Sequence, residues 1–189
     1  VPLTPTTVKL CGDQDELVIL RRLRAEDVPA LVAFYNGLSD ASKRTFRPIE
    51  EHTTPEVCAG IVVENLERPP VKFDVVALLG DKVIGWSFIW DLASEEPVFG
   101  LAVADPYHGR GLGTALMTRV LAWARSRPLP TVFLTVVQDN HVAKRLYEKQ
   151  GFVKYGEFVG EDGLPYDRMR IDLVANPAIG VMNRDSFGP

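Results

Sequence analysis

The sequence predicts an α/β (α+β) fold, a single mixed and mostly antiparallel central sheet with helices on both faces. Three observations carry that prediction. Strand-type runs flank the short turns Gly80-Asp81-Lys82 and Gly160-Glu161-Asp162-Gly163, the pattern of antiparallel hairpins. The run Val98 to Ala104 instead enters a glycine-rich turn and a helix before the next strand, which demands a parallel pair with a right-handed crossover. A chain of 189 residues, 46% hydrophobic and 24% charged, fits one soluble domain that buries its core without metals or disulfides.

Each element has a local reason. Residues 1–16, with Pro2, Pro5 and an acidic run around Gly12, read as an irregular lead-in. Leu17 to Arg24 is a strand. Glu26 to Leu38 carries the helical stripe Val28, Leu31, Val32, Tyr35 and Leu38. Ala41 to Phe46 is a short helix within a polar stretch. Thr54 is an N-cap, with Pro55 and Glu56 in the first turn of a helix that stops near Glu67, before Pro69-Pro70. Phe73 to Leu79, Val83 to Leu92 and Pro97 to Ala104 are strands. Gly111 to Arg125 is a helix, apolar at Leu112, Leu116, Val120 and Trp123. The unbroken apolar run Thr131 to Val137 is a buried strand. Asp139 to Gln150 is a helix closed by Gly151. Phe152 to Val159 and Pro165 to Val174 end the domain, so 17–174 is one unit and 175–189 a weakly patterned tail.

Charge narrows the function. The first hundred residues hold 10 basic and 16 acidic side chains, a balance of −6, whereas Leu101 to Gly151 holds 7 and 3, or +4. The acidic total of −4 argues against a nucleic-acid binder, and the basic central stretch suits a small polyanion. No apolar run approaches the ~20 residues of a membrane span, no secretory leader is visible, and Cys11 and Cys58 form no framework. A cytoplasmic protein, monomeric or homodimeric, is expected. His52, His108 and His141 show no ligand spacing, so no metal is expected.

The informative segment is His108-Gly109-Arg110-Gly111-Leu112-Gly113-Thr114, between a strand and a helix. Glycines let a ligand approach the backbone, and the first amides of a helix lack internal partners and carry partial positive charge. Together they make a phosphate seat. It is not a P-loop, because Gly113 stands where Lys would precede Thr114, and it does not meet the dinucleotide spacing. The second segment is the helix from Asn140 to Phe152. Asn140 and Tyr147, seven apart, share one helix face about 10 Å apart. They could track along an extended ligand, or Asn140 could cap the helix while Tyr147 packs in the core.

The two segments together resemble the GNAT superfamily of N-acetyltransferases. The resemblance covers about residues 17–174. The family's R/Q-x-x-G-x-G/A turn is matched by His108 to Gly113, departing at His108, and its N-x-x-A-x-x-L-Y-E-x-x-G-F helix by Asn140 to Phe152. The resemblance implies acetyl-CoA as donor, splayed between the parallel strands that end near Ala104 and Val137. It implies contacts from His108, Gly109, Arg110, Gly111, Leu112, Gly113, Thr114 and Asn140. Backbone amides of Leu101 and Val103 would hold the pantetheine and polarise the thioester, and Tyr147 would be the general acid. For the base the family often places a Glu on the strand before the turn; there this sequence offers only Glu95 and Glu96, at its very start, with Pro97 in the aligned Glu position, so that either Glu96 acts as the base through water or the two are a solvated hairpin charge pair. Thr135 stands where the branch that acetylates protein N-termini has Glu.

The function implied is acetyl transfer to a primary amine, most simply of a small molecule. Protein acetylation at a lysine or N-terminus, and a non-catalytic acyl-CoA sensor, are the alternatives. The resemblance builds the acceptor side from residues 36–53 and 159–166, which carry Asp40, Glu50, Glu51, Glu161 and Asp162 beside Lys43, Arg44 and Arg47.

Overall fold

A computed structural model describes residues 4–11 and 16–173. The tail read as 175–189, Val174 and parts of the lead-in lie outside them. The elements are β1 (Thr6–Lys9), β2 (Leu17–Arg22), α1 (Val28–Asn36), α2 (Asp40–Thr45), α3 (Pro55–Leu66), β3 (Phe73–Leu79), β4 (Lys82–Trp90), β5 (Val98–Val103), α4 (Leu112–Arg125), β6 (Thr131–Val137), α5 (His141–Lys149), β7 (Val153–Val159) and β8 (Pro165–Asp172). They form one sheet in the order β1-β2-β3-β4-β5-β6-β8-β7. Only β5 and β6 run parallel. The α/β architecture read from the sequence is the one observed.

The differences are local. The lead-in contributes β1, because the β-branched run Thr6-Thr7-Val8 pairs with β2 in register from Thr6↔Leu20 to Lys9↔Leu17. The stripe read as one helix from Glu26 opens as a 3-10 turn, Ala25–Asp27, before α1. Arg21 holds Asp27 there through two hydrogen bonds of 2.6 and 2.7 Å. The caps are the expected ones at α3, where Thr54 Oγ1 accepts from the Val57 amide, and at α5, where Gly151 follows with φ +99°.

Strand β3 is buried on both faces, and its alternation assigns them. Phe73, Val75 and Ala77 pack with Leu112, Leu116, Val120 and Trp123 of α4. Trp123 stacks on Phe73 at 3.6 Å between ring centroids. Val76 and Leu78 face the other layer, with Leu31 and Tyr35 of α1 and Cys58, Ile61 and Val62 of α3. Trp86 and Phe88 of β4 make an aromatic cluster there with Tyr35 and Phe46. Asp74 is buried beside it, and its carboxylate accepts from the Trp86 and Trp90 indoles and from Asn65. Burial outweighs those neutral donors and raises Asp74 to about 6. Asp167 of β8 is the opposite case. Burial works against its charge, but Lys144 of α5 and Lys154 of β7 reach it and hold it below the usual carboxylate range. Lys144 thereby anchors α5 to the sheet.

Candidate active site

The site begins where sheet pairing fails. β5 pairs with β4 along its length, from Trp90↔Val98 to Gly85↔Val103, but with β6 at only one position, Val98↔Phe133. The Phe133 amide donates to Pro97 O, which closes the apex. Beyond it the two parallel strands part. The Ala104 amide donates to Ile84 O of β4, so by strand alternation the Leu101 and Val103 amides point the other way, into the wedge. A cleft of about 1150 Å³ fills that wedge. Its walls are β5, β6, the turn before α4, one side of α5, and α2.

The turn at the mouth is built by backbone geometry. Gly109 and Gly111 have φ of +71° and +84°, values that other residues adopt only with strain. Gly111 is also the N-cap of α4. Ser39, Thr54 and Asn140 each cap α2, α3 and α5 with a side-chain oxygen, whereas no side chain caps α4. The Leu112, Gly113 and Thr114 amides therefore meet no side-chain cap, at the positive end of a 14-residue helix, an arrangement that can accept an anion.

All the expected donor-side residues but one line this cleft, namely Leu101, Val103, His108, Gly109, Gly111, Leu112, Gly113, Thr114, Asn140 and Tyr147. Arg110 does not. Its guanidinium is held by Cys11 O at 2.8 Å and by Glu16 at 2.6 Å, so the β1–β2 loop draws it away from the mouth. His108 Nε2 lies 2.7 Å from Val103 O. A carbonyl only accepts, so Nε2 carries the proton, and the ring ties the turn to the end of β5. Asn140 does cap α5, with its Oδ1 accepting from Ala143 N at 3.1 Å.

Tyr147 lies on the same face of α5, deeper in the wedge. Its ring packs edge-on against Phe99 of β5 and tilted against Phe152, with centroids 6.1 and 6.0 Å away. Burial pushes its phenol up to about 12. Both sequence alternatives for this pair are realised at once, since Asn140 caps, Tyr147 packs, and each borders the cleft. Glu96 is not brought to the site. It sits exposed in the β4–β5 loop, its amide on Ser94 Oγ, one residue beyond the Pro97–Phe133 bond that closes the wedge. That bond separates the loop from the cleft.

The opposite side of the cleft holds contacts that sequence spacing could not signal. The stretch from Ser39 to Arg47 lies across the wedge as a strap pinned by three carboxylates. Asp105, after β5, accepts from Ser39 Oγ at 2.9 Å and Ser42 Oγ at 2.7 Å. Asp139, after β6, holds Arg44 at 2.8 Å. Asp162, in the β7–β8 loop, holds Arg47 and also accepts from Tyr166 Oη at 2.7 Å and the Leu164 amide at 3.0 Å. These donors keep Asp105, Asp139 and Asp162 below the usual carboxylate range. The partners stand 66, 95 and 115 residues apart for Ser39, Arg44 and Arg47 respectively.

Among the described residues no group of three or more His, Cys, Asp or Glu side chains could hold a metal ion, and no helix is long and apolar enough to cross a membrane.

Comparison with known proteins agrees with this geometry. The chain is 31% identical over 72 residues to the ribosomal protein bS18 alanine N-acetyltransferase of Haemophilus ducreyi. That match covers 38% of this chain and half the length of that enzyme. The GNAT domain of S. lividans PAT superposes with a TM-score of 0.73 at 21% identity, over 89% of this chain and 96% of that one. Spermidine N-acetyltransferase from Vibrio cholerae, solved with CoA and spermine, gives 0.68 at 20% identity over 82% and 95%. Residues 31–152, which contain α2, the wedge, the glycine turn and α5, match the acetyltransferase (GNAT) family, and the chain belongs to that family.

Proposed function

We propose that this chain is an acetyl-CoA-dependent N-acetyltransferase whose acceptor is a primary amine of a small molecule. The observation that carries the reading is the wedge itself, in which two unpaired β5 amides lead to an uncapped helix N-terminus. Such a track fits a pantetheine arm that ends in a pyrophosphate. In this reading the pyrophosphate sits on the Leu112, Gly113 and Thr114 amides, and the Leu101 and Val103 amides hold the arm and polarise the thioester carbonyl. The amine lone pair forms the new C–N bond, and the C–S bond breaks. The thiolate takes its proton from Tyr147 Oη, and the amine loses its own to solvent. Tyr147, its phenol pushed up by burial to about 12, is protonated at neutral pH, as an ordinary phenol also is. A thiol has a pKa near ~8.5 in water, but a thiolate formed in the same dry cleft is destabilised too, which favours transfer from the phenol.

A small acceptor is favoured because the α2 strap is pinned over the acceptor side. An extended peptide would have to lift it. The Haemophilus ducreyi enzyme is named for a protein acceptor, and that makes protein acetylation the second reading. Thiol release from acetyl-CoA, measured over a panel of small amines and lysine or N-terminal peptides, tests the choice. Turnover confined to peptides would replace the small-molecule reading. CoA binding without thiol release on any amine would make the chain a sensor.

A further inference from the structure

Helix α5 carries Tyr147 into the cleft but has little apolar surface of its own to grip the sheet. α4 buries seven of its residues, whereas α5 buries one, Tyr147 itself. Ala143 and Leu146 are only partly buried against the core. Among the described residues the Tyr147 hydroxyl makes no hydrogen bond, and its oxygen reaches the cleft while its ring leans on Phe99 and Phe152. The place of that oxygen is therefore set by how the helix is seated. A turn of α5 by about 15° would carry a phenol oxygen, about 8 Å from the helix axis, sideways by about 2 Å. That is more than a hydrogen bond to a reacting atom tolerates.

One ion pair fixes the seat from the sheet side. Lys144 stands three residues before Tyr147, about 60° away around the helix axis. Its Nζ lies 2.5 Å from Asp167 Oδ2 of β8. The Asp167 side chain is 2% exposed, so this pair is costlier to break than the exposed pairs of the α2 strap. Asp167 is held in turn at its other oxygen, by Lys154 at 2.7 Å and Gln138 at 3.0 Å. The two lysines differ in what they join. Lys154 links β7 to β8, strands already paired from Val153↔Arg170 to Val159↔Pro165. Lys144 links the sheet to α5, where ladder bonds give no support.

We propose that Lys144 and Asp167 are positioning residues for acetyl transfer, their bond fixing the rotation of α5 and so aiming the Tyr147 hydroxyl at the donor's sulfur. The inference rests on Tyr147 as the proton donor. Neither residue touches the reacting atoms, and both act through the helix.

The test uses the full chain with an isotope label at the tyrosine carbon that bears the hydroxyl, read by NMR. The Tyr147 signal is identified by its loss in Tyr147→Phe. CoA is the probe, because its thiol takes the place of the leaving group, and it should shift the Tyr147 signal of the wild type. Lys144→Met keeps chain length and helix propensity and leaves Asp167 its Lys154 and Gln138 donors. It should cut the shift by about half or more with the Kd of CoA within about 3-fold, and lower kcat about 10-fold with the fastest amine of the panel. Lys144→Arg should restore both. Lys154→Met takes the other cation from Asp167 without touching α5, and should leave both at the wild-type level. Asp167→Asn breaks the same bond from the sheet side and should act as Lys144→Met does, which keeps the test open if that variant does not fold. A shift and a kcat that survive in Lys144→Met, or that fall equally in Lys154→Met, overturn the proposal and leave Tyr147 as the donor. So does a loss of CoA affinity as large as the loss of kcat. A wild-type Tyr147 signal that ignores bound CoA refutes the proton-donor reading itself, and the positioning role falls with it.

Discussion

The two ends of the cleft are built by opposite means. The donor end is backbone. Unpaired β5 amides, two glycines with positive φ and an uncapped helix N-terminus present dipoles that need no side chain. The acceptor end is side chain. Arg44, Arg47, Ser39 and Ser42 hold a short helix over the wedge by gripping three carboxylates on distant elements. A surface of fixed backbone dipoles suits a ligand that every turnover shares. A surface of exposed ion pairs, each worth roughly 0.2–1 kcal/mol, is easily rearranged and suits the partner that sets specificity. Insertion of charge should therefore be ruinous at the first end and graded at the second.

The largest effect is expected for Gly111→Asp. It forces a side chain into φ +84° and sets a carboxylate at the helix N-terminus proposed to seat the pyrophosphate. CoA affinity should fall about 100-fold or more, in a protein whose circular dichroism is unchanged. A folded variant with wild-type affinity would dissolve the distinction between the two ends.

Tyr147→Phe comes next, and it separates chemistry from binding within the donor end. The ring contacts with Phe99 and Phe152 survive while the proton is lost. Turnover should drop about 10²-fold with the Kd of acetyl-CoA within about twofold. Equal losses in both would make Tyr147 a binding residue, and no loss in either would leave it a packing residue.

At the acceptor end, Arg47→Ala is expected to act by a few-fold only. Asp162 keeps its Tyr166 and Leu164 donors, so an anchored carboxylate is exposed where an ion pair stood. The KM of a cationic amine should fall about 3-fold at low salt, and the gain should vanish near 0.5 M salt as screening shortens the reach of the charge. CoA affinity should not change. Steady-state kinetics with a matched pair of amines, one bearing a carboxylate, reads this directly. A gain for the anionic partner instead would reverse the assigned sign of the site.

The smallest effect belongs to Glu96→Gln. Glu96 lies outside the closed apex, so kcat should change by less than about twofold, and the rise of rate with pH should follow the acceptor's own ammonium. A flattened alkaline limb in the variant would bring Glu96 back as the base.

Most of the donor end was legible in the chain because its signal is local. Gly109, Gly111 and Gly113 stand within five residues of one another, and Asn140 and Tyr147 lie on one helix. Arg110 misled because its type fits a phosphate while its partner, Glu16, sits on another strand's loop. Glu96 misled because chain proximity to β5 says nothing about which side of the apex a loop occupies.

By itself the sequence determined the alternation of strands and helices, the hairpins, the parallel crossover and the glycine turn. Hydrophobic period, turn chemistry and caps act over a few residues, so they can be read in order along the chain. Tertiary structure alone decided where β5 and β6 part, which cations are already neutralised, and what is pinned across the acceptor side. Each of these depends on partners as far as 115 residues apart, as for Arg47 and Asp162. Their pairing follows from the closing of the sheet, which brings the loops after β5 and β6 and between β7 and β8 to one place beneath α2.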